Sequence, residues 1–236
     1  MTLLAIPDIH GQRAALDAVL ARADARYGAR AKIVFLGDLV DRGPDSRGVI
    51  ETLIRGLEAG RDWTVLRGNH DQMFLEALEA GAGGGAPEIG ARWLSGNIGG
   101  AETLASYGVA PPRDAAGWAD VARAVPEAHR AFLAGLPLCH ETEEQIFVHA
   151  GIRPGVPMEA QVAEDLLWIR DLFLFDTRDH GRLVVHGHTP VARPEHRGNR
   201  VNLDGGAGWG RELFLARLEG RRAWLVTDEG EEELVP

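Results

Sequence analysis

The stretch KIVFLGDLVDRG, residues 32–43, decides the fold. It begins with an apolar run, Lys32–Leu36, and then changes abruptly to a polar, glycine-containing turn that carries Asp38, Asp41 and Arg42. A short apolar run bounded by a turn is typical of a strand that is buried on both faces. The stretch therefore predicts a buried strand whose carboxyl end carries acidic and basic side chains.

Four other segments repeat this pattern of an apolar run followed by a polar turn. The runs are Leu3–Ile6, Trp63–Leu66, Gln145–Val148 and Leu183–Val185. Helical periodicity follows the first three turns along the chain, over Arg13–Tyr27, Ser46–Leu57 and Gln72–Ala80. Repeated strand, turn and helix predict a layered α/β domain, in which ligands bind at the carboxyl ends of the strands. We therefore expect the five polar turns to converge on one site.

The rest of the chain is predicted more coarsely. Helices are expected over Gly100–Tyr107 and over Asp114–Leu133, with Pro126 as a first-turn residue. Gly81–Gly85 is interpreted as a plain flexible loop, with a substrate lid as the alternative. Three later strands are predicted, at Arg200–Leu203, Glu212–Leu218 and Arg222–Thr227.

The end of the chain, Glu229–Pro236, is predicted to be an acidic, solvated terminus. No composition shift marks a domain boundary, so residues 1–236 are expected to form a single domain.

Composition excludes several classes of protein. The 236 residues contain 25 Lys+Arg and 35 Asp+Glu, a net charge of −10, which disfavours a general nucleic-acid binder. The single cysteine, Cys139, excludes an internal disulfide and is expected to be a small buried hydrophobe. No run reaches the roughly 18 apolar residues of a membrane span, which predicts no membrane partner and a cytoplasmic protein.

The five turns together supply a mixed set of oxygen and nitrogen ligands. These candidate ligands are Asp8, His10, Asp38, Asn69, His149 and His188. Such a set suits a first-row divalent ion such as Mn, Fe or Zn, and the lack of thiols argues against a cysteine-rich structural zinc site. Six ligands match two ions that share a bridging carboxylate, an arrangement that serves displacement at phosphorus.

The motifs of these turns resemble those of the calcineurin-like metallophosphoesterases. They read DIHG at 8–11, GDLVDRG at 37–43, GNHD at 68–71, HAG at 149–151 and GH at 187–188. They resemble the phosphoprotein phosphatase branch, which includes bacterial serine/threonine phosphatases and symmetrical diadenosine tetraphosphatases. Residues 93–107 and the LWIR segment at 167–170 also resemble bacterial members. One such motif is weak evidence, whereas five in register are strong.

The resemblance implies a fold and a metal centre. The implied fold is an α/β/β/α sandwich of two mixed sheets flanked by helices. Asp8 and His10 would bind a first divalent ion, Asn69, His149 and His188 would bind a second, and Asp38 would bridge them. Manganese is the first choice for both ions, with iron, zinc or nickel as alternatives.

The resemblance also implies catalytic roles. A hydroxide that bridges the ions would attack phosphorus, and His70 would protonate the leaving alkoxide, with Asp41 orienting its imidazole. Arg42 and Arg170 would hold phosphoryl oxygens through planar, bidentate donors. The role of Arg67 is left open between reaching the pocket and supporting its turn.

Three positions depart from the family pattern. Pro7 stands where a glycine usually precedes the first aspartate, and it has no N–H to donate. Asp71 replaces the glutamate of eukaryotic members, which favours a bacterial type. Pro190 stands where nucleases and phosphodiesterases place another metal-binding histidine, which favours the monoesterase branch.

The leading hypothesis is a phosphatase acting on phosphomonoesters, with phosphoserine or phosphothreonine in proteins as the substrate class. The alternative is symmetrical cleavage of diadenosine tetraphosphate or a related nucleotide, for which Trp93, Tyr107 and Trp118 are candidate base-stacking residues. A non-catalytic module that binds phosphorylated partners is a third possibility. The oligomeric state stays open.

The remaining histidines are predicted from their context alone. His186 is expected to be hydrogen-bonded within its strand and not to bind metal. The histidines without motif context are expected at the surface or at helix ends: His129, His140, His180 and His196.

Overall fold

A computed structural model describes residues 3–82 and 87–236 of the chain. Its strands are β1 Leu3–Ile6, β2 Lys32–Phe35, β3 Trp63–Val65, β4 Cys139–Glu141, β5 Gln145–Val148, β6 Leu183–His186, β7 Glu195–His196, β8 Arg200–Asn202, β9 Ala216–Glu219, β10 Arg222–Val226 and β11 Glu231–Leu234. Its α-helices are α1 Arg13–Tyr27, α2 Ser46–Glu58, α3 Asn69–Ala82, α4 Pro87–Trp93, α5 Gly100–Ser106, α6 Ala115–Ala124, α7 Glu127–Gly135, α8 Ala163–Trp168 and α9 Asp171–Leu174.

The strands form two mixed sheets. The six-stranded sheet has the order β11-β10-β9-β1-β2-β3, in which β1, β2 and β3 are parallel and the other three strands antiparallel. The five-stranded sheet has the order β4-β5-β6-β8-β7, with parallel central strands and an antiparallel strand at each edge. Each sheet therefore brings the carboxyl ends of its parallel strands to one rim.

Alternating side chains place each sheet between two apolar layers. Ala5 and Val34 of the first sheet share a buried cluster with Phe147 and Val185 of the second, so these faces pack against each other. The opposite face of the six-stranded sheet packs against α1 to α7, and that of the five-stranded sheet against α8 and α9. The predicted α/β/β/α sandwich of two mixed sheets is confirmed.

The segment Asp114–Leu133 is largely helical, as predicted, but it is divided at Pro126 into α6 and α7. The chain leaves the helix at Val125 (φ −83°, ψ 118°), and Pro126 caps the start of α7. Proline lacks an N–H, and its ring forces the preceding residue out of the helical region, so two helices form.

The acidic terminus is exposed to solvent, as predicted, but Glu231–Leu234 forms a strand that was not predicted. These residues pair with β10 as an antiparallel edge strand. Their carboxylates meet cations on the neighbouring strands: Arg217 Nε lies 2.8 Å from Glu231 and Arg222 Nε lies 2.7 Å from Glu233. Cross-strand pairs of opposite charge make an acidic strand compatible with the sheet.

Two further expectations concern the middle and the membrane. Gly81 lies in α3 and not in a loop, while residues 83–85 of the predicted Gly81–Gly85 loop lie outside the described residues. Within residues 3–82 and 87–236, no helix is long and apolar enough to cross a membrane.

Candidate active site

The five polar turns meet at one rim between the sheets. Backbone hydrogen bonds join the first two turns, since the amides of Ile9 and His10 donate to the carbonyl of Asp38 at 3.0 and 2.8 Å. His149, which follows β5 of the second sheet, donates from Nδ1 to the carbonyl of Leu36 at 2.9 Å, which joins the two sheets. The predicted convergence of the strand ends is therefore observed.

The backbone is strained at this rim. Among the described residues, all non-glycine residues with a positive φ belong to these turns: His10 (48°), Asp38 (50°), Asp41 (75°), Arg42 (66°) and His188 (67°). Left-handed backbone is unfavourable for such residues, and it persists where the surrounding structure imposes it, which is common at functional sites. Each of them was predicted from the sequence as a site residue.

One group of ligand atoms lies around Asn69, at the start of α3. Its Oδ1 is 2.8 Å from His149 Nε2 and 2.9 Å from His188 Nδ1, and these two nitrogens are 3.1 Å apart. Asp38 Oδ1 lies 3.5 Å from His149 Nε2. Asp38, His149 and His188 thus form a compact group whose ligand atoms lie within 4.8 Å of one another.

The protonation of His149 shows why this group suits a cation. Burial lowers the pKa values of His149 and His188, which keeps both imidazoles neutral. His149 donates its single proton to Leu36, so its Nε2 presents a lone pair to the oxygens of Asn69 and Asp38. Lone pairs held this close without a proton between them fit a divalent ion, and a histidine that donates its other nitrogen to a carbonyl is typical of metal ligands.

A second compact group consists of His10, Asp38 and His70, so it shares Asp38 with the first. His10 Nε2 lies 3.4 Å from Asp38 Oδ2, and His10 Nδ1 donates to the carbonyl of Val40 at 2.9 Å. The lone pair of His10 Nε2 accepts from Arg42 Nη1 at 2.6 Å, and Arg42 Nη2 lies 3.0 Å from His70 Nε2. The guanidinium therefore places positive charge against both imidazoles, and Asp38 belongs to both groups, as a bridging ligand must.

Asp8 is buried in the same region but outside both compact groups. Its two oxygens each accept from the amide of His188 at 3.1 Å, and a Cβ at Gly187 would lie 2.0 Å from Oδ1. The pKa of Asp8 is raised well above its usual value by burial, and further by the charges of Asp204 and Asp38. A buried carboxylate with like-charged neighbours is compensated by a cation, so Asp8 fits the proposed first metal ion.

Asp204 is a site residue that the sequence analysis missed. It is buried, and it accepts from the amide of Gly206 at 2.8 Å, while burial raises its pKa to about 6. The signal was present in the sequence, because Asp204 follows the apolar Leu203 directly after β8 and precedes Gly205, as the other acidic turns follow their strands.

His70 and Asp41 form a hydrogen-bonded pair. Asp41 is fully buried, and its Oδ2 lies 2.7 Å from His70 Nδ1. Asp41 also accepts from the indole N–H of Trp93 at 2.9 Å and from the hydroxyl of Thr103 at 2.7 Å. Burial raises the pKa of Asp41 well above its usual value, although these two hydrogen bonds oppose the rise. The carboxylate is thereby fixed and directs the Nε2 of His70 toward Arg42.

Two further aspartates, Asp38 and Asp71, hold the turn that carries His70. The backbone amide of His70 donates to Asp38 Oδ1 at 2.9 Å, and burial lowers the pKa of its imidazole to about 4, against the opposing effect of the Asp38 charge. Asp71 accepts from the amides of Leu39 and Gly68, each at 2.9 Å, and so ties the second turn to the third. The aspartate at position 71 is long enough for this structural role.

The two remaining arginines differ in position. Arg170 is exposed, and its Nη1 donates to the hydroxyl of Thr189 at 3.4 Å. The pKa of His188 is lowered first by burial, then by the charge of His149, and then by the charge of Arg170. Arg67 donates to Gln72 at 2.9 Å and to the carbonyl of Leu136 at 3.2 Å. Arg67 thus supports its turn, whereas Arg170 lies beside the turn that carries His188.

Three aromatic residues do not have the predicted placement. Trp93, Tyr107 and Trp118 are all buried, and Trp93 packs on Phe74 with ring centroids 5.1 Å apart. As buried side chains they cannot form a base-stacking surface, so this prediction is wrong.

The remaining histidines divide into two kinds. His186 is buried, and its Nδ1 donates to the carbonyl of Gly187 at 3.1 Å, in keeping with a hydrogen-bonded role. His129 is buried but lies in the first turn of α7, at a helix end as predicted. His196 is buried and hydrogen-bonded in β7, so the predicted surface or helix-end placement is wrong for it. Cys139 is half-buried against the apolar cluster beneath α8 and α9.

Comparison with known proteins gives the site a family. The chain is 36% identical over 160 residues to a symmetrical bis(5'-nucleosyl)-tetraphosphatase of Paracidovorax citrulli, covering 68% of this chain and 48% of that protein. It is 29% identical over 196 residues to serine/threonine-protein phosphatase 1 of Salmonella typhimurium, covering 79% of this chain and 78% of that protein. The chain thus spans about half the length of the tetraphosphatase it matches.

The fold agrees with these sequence matches. A crystal structure of a metallophosphoesterase from Sphaerobacter thermophilus superposes with a TM-score of 0.54 at 19% identity, over 100% of this chain and 89% of that one. The fold is therefore that of the metallophosphoesterases. The sequence profile of the calcineurin-like phosphoesterases matches residues 1–213, and the chain belongs to that family.

Proposed function

We propose that the protein is a dinuclear-metal-dependent hydrolase that cleaves diadenosine tetraphosphate or a related dinucleoside polyphosphate symmetrically. The observation that carries the hydrolytic part is the shared carboxylate of Asp38 between two groups of buried ligands, beside the pair of His70 and Asp41. The nucleotide part is supported by the tetraphosphatases among its relatives.

The ligand sets assign each ion its residues. Asp8, His10 and Asp38 would hold one divalent ion, and Asp38, Asn69, His149 and His188 the other. When bound, two such ions supply positive charge for the phosphoryl oxygens and lower the pKa of a water nucleophile. Manganese is the ion that we propose for this site.

The protein's own groups would handle the proton and the phosphate charge. Asp41 holds His70 through Nδ1, so Nε2 is the atom that delivers a proton to the leaving oxygen. A phosphate anion beside His70 favours its protonated form, which offsets the lowering of its pKa by burial. Arg42, between His10 and His70, presents a planar fork of N–H donors that suits phosphoryl oxygens, and Arg170 is a second such donor at the edge.

A second candidate is hydrolysis of phosphoserine or phosphothreonine in proteins. Two observations favour it. An alkoxide leaving group is more basic than a nucleotide phosphate and needs the proton of His70 more. The chain also covers 78% of the Salmonella serine/threonine phosphatase, against 48% of the tetraphosphatase.

Steady-state turnover of two substrates separates these candidates. Protein stripped of metal and reloaded with Mn²⁺ is given diadenosine tetraphosphate and, separately, a phosphoserine peptide. Our proposal predicts the higher kcat/KM for the dinucleotide, with ADP as the sole product. A higher kcat/KM for the phosphopeptide would favour the second candidate, and no metal-dependent turnover of either would contradict both.

A further inference from the structure

An exposed indole lies beside the candidate active site. Trp209 is 56% exposed, and it is the only exposed tryptophan in the part of the chain that the structure describes. The guanidinium carbon of Arg42 lies 4.5 Å from the centroid of its ring. Tryptophan has a large, rigid aromatic surface, and this one lies open to solvent beside two candidate site residues, His10 and Arg42.

The backbone holds this indole in place. Trp209 ends a short 3₁₀ helix, Ala207–Trp209, and its amide donates to the carbonyl of Gly206 at 2.9 Å. A Cβ at Gly208 would lie 2.5 Å from the ring of His10 and 3.0 Å from Arg42 Cδ. The missing side chain at Gly208 therefore lets this segment pack directly on His10 and Arg42, with Trp209 next to both.

The position of Arg42 sets what the indole can bind. The same guanidinium that lies over Trp209 reaches His10 Nε2 at 2.6 Å and His70 Nε2 at 3.0 Å. A ligand with a phosphate on Arg42 and a planar group on Trp209 would span the candidate centre and its rim. A nucleoside phosphate has these two parts, since a single sugar separates its aromatic base from its phosphate.

We propose that Trp209 stacks on a nucleobase of the substrate while Arg42 binds a phosphate of the same nucleotide, an inference that rests on the proposed function. Stacking on an aromatic ring tolerates every base, because each base has a π face. The platform therefore selects nucleotides over aliphatic phosphate esters without reading which base is present.

Paired substrates and paired variants test this role. Trp209→Ala, Trp209→Phe and Phe175→Ala are assayed with Mn²⁺ on diadenosine tetraphosphate and on β-glycerophosphate, which has no ring. Phe175 is the matched control, because it is an exposed aromatic side chain in a different groove, at 79% exposure.

The expected result is a split between KM and kcat. Trp209→Ala should raise KM for the dinucleotide about 5- to 150-fold, the equivalent of ~1–3 kcal/mol per stacked base, with kcat nearly unchanged. Trp209→Phe should recover most of the loss, and β-glycerophosphate kinetics should not change. Equal losses on both substrates would show that Trp209 only positions Arg42, and an unchanged KM, or a loss in Phe175→Ala instead, would likewise overturn the proposal.

A binding measurement keeps this test separate from the proposed function. ADP added to the metal-free protein should quench tryptophan fluorescence, and the quench should vanish in Trp209→Ala. If the wild-type protein hydrolyses β-glycerophosphate but not the dinucleotide, the proposed substrate is wrong. If it hydrolyses the dinucleotide and ADP quenches both proteins equally, the assignment of Trp209 is wrong.

Discussion

Single residues of the candidate site have an unfavourable backbone conformation that places their side chains. The residues with left-handed backbone are His10, Asp38, Asp41, Arg42 and His188. Each such non-glycine residue costs about 1–3 kcal/mol, so the hydrogen bonds and packing around these turns must impose it. Glycine would adopt these angles freely, but it has no carboxylate, imidazole or guanidinium to offer. At this scale the candidate site is a set of turns in which side-chain chemistry outweighs backbone preference.

The proposed proton-donor role of His70 predicts a dependence on the leaving group. His70→Asn removes the proton at Nε2 and should lower kcat on β-glycerophosphate by roughly 10²–10⁴-fold, as loss of general acid catalysis does. The loss on p-nitrophenyl phosphate should be smaller, because nitrophenolate leaves without a proton. His196→Asn, a buried histidine hydrogen-bonded to the Arg221 carbonyl, is the control. Equal losses on both esters would contradict the role.

Close packing behind Asp38 predicts the effect of one added methyl group. A Cβ at Gly68 would lie 2.1 Å from Asp38 Oδ1 and 2.2 Å from its backbone nitrogen, so Gly68→Ala must displace this carboxylate or its turn. We expect weaker Mn²⁺ binding by calorimetry and a loss of about 1–3 kcal/mol in the free energy of unfolding. Gly96→Ala, where a Cβ meets nothing within 4 Å, should leave both unchanged. Wild-type affinity in Gly68→Ala would show that Asp38 does not bind metal.

The strands that support the site could be predicted almost to the residue. Leu3–Ile6 and Gln145–Val148 are apolar on both faces, and such runs end sharply where the chain turns polar. β11 could not be predicted, because its run of glutamates has no apolar or alternating pattern, and its charges are balanced by arginines that lie 14 and 11 residues earlier in the chain. Local pattern identifies a strand that is buried, but an acidic edge strand depends on partners that the pattern does not contain.

Which aromatic side chains are buried could not be predicted from the sequence either. From the sequence, Trp93 was a candidate for stacking on a base at the surface, yet its indole is buried in the core and donates to Asp41. Trp209 lies in a short glycine-rich segment without helical or strand periodicity, and its exposure follows from Gly208 packing on His10. Residue type alone does not separate these two cases, because both depend on contacts between distant segments.

The contact between α5 and α7 predicts a pH-dependent part of stability. Tyr107, at the end of α5, donates to Nδ1 of His129 at 2.9 Å, and burial lowers the pKa of His129. In the unfolded chain His129 is protonated below about pH 6.5, whereas in the folded chain it stays neutral to a lower pH. The free energy of unfolding therefore falls as the pH drops below about 6.5. Urea unfolding at pH 7.5 and 5.5 should show His129→Gln less stable than wild type at the higher pH. The difference should narrow at the lower pH, and a constant difference would contradict the shift.

At the scale of the whole molecule, the candidate ligands join the two sheets. Asp8, Asp38 and Asn69 follow strands of the six-stranded sheet, and His149 and His188 follow strands of the five-stranded sheet. The net charge of −10 surrounds a pocket in which dications and Arg42 would concentrate positive charge. A metal ion held here would connect the layers of the sandwich.

Metal binding should therefore stabilise the whole fold. A ligand that binds only the native state adds about 2.7 kcal/mol to the free energy of unfolding when it is present at 100 times its Kd. We expect EDTA to lower Tm in a thermal scan and Mn²⁺ to restore it. His149→Ala should lose the Mn²⁺-dependent part, whereas Phe175→Ala should keep it. A Tm that does not respond to Mn²⁺ in the wild-type protein would contradict a site between the sheets.

We propose that the buried group around Asp38 hydrolyses phosphate esters with divalent metal. The most direct test is kcat/KM on p-nitrophenyl phosphate, measured for metal-stripped wild-type protein and Asp38→Asn across a Mn²⁺ titration, with His196→Asn as the control. We predict that activity rises with Mn²⁺ in the wild type and the control, and that Asp38→Asn stays at least about 100-fold lower throughout, as loss of a main electrostatic group does. Full activity without a divalent ion, or wild-type activity in Asp38→Asn, would contradict the claim.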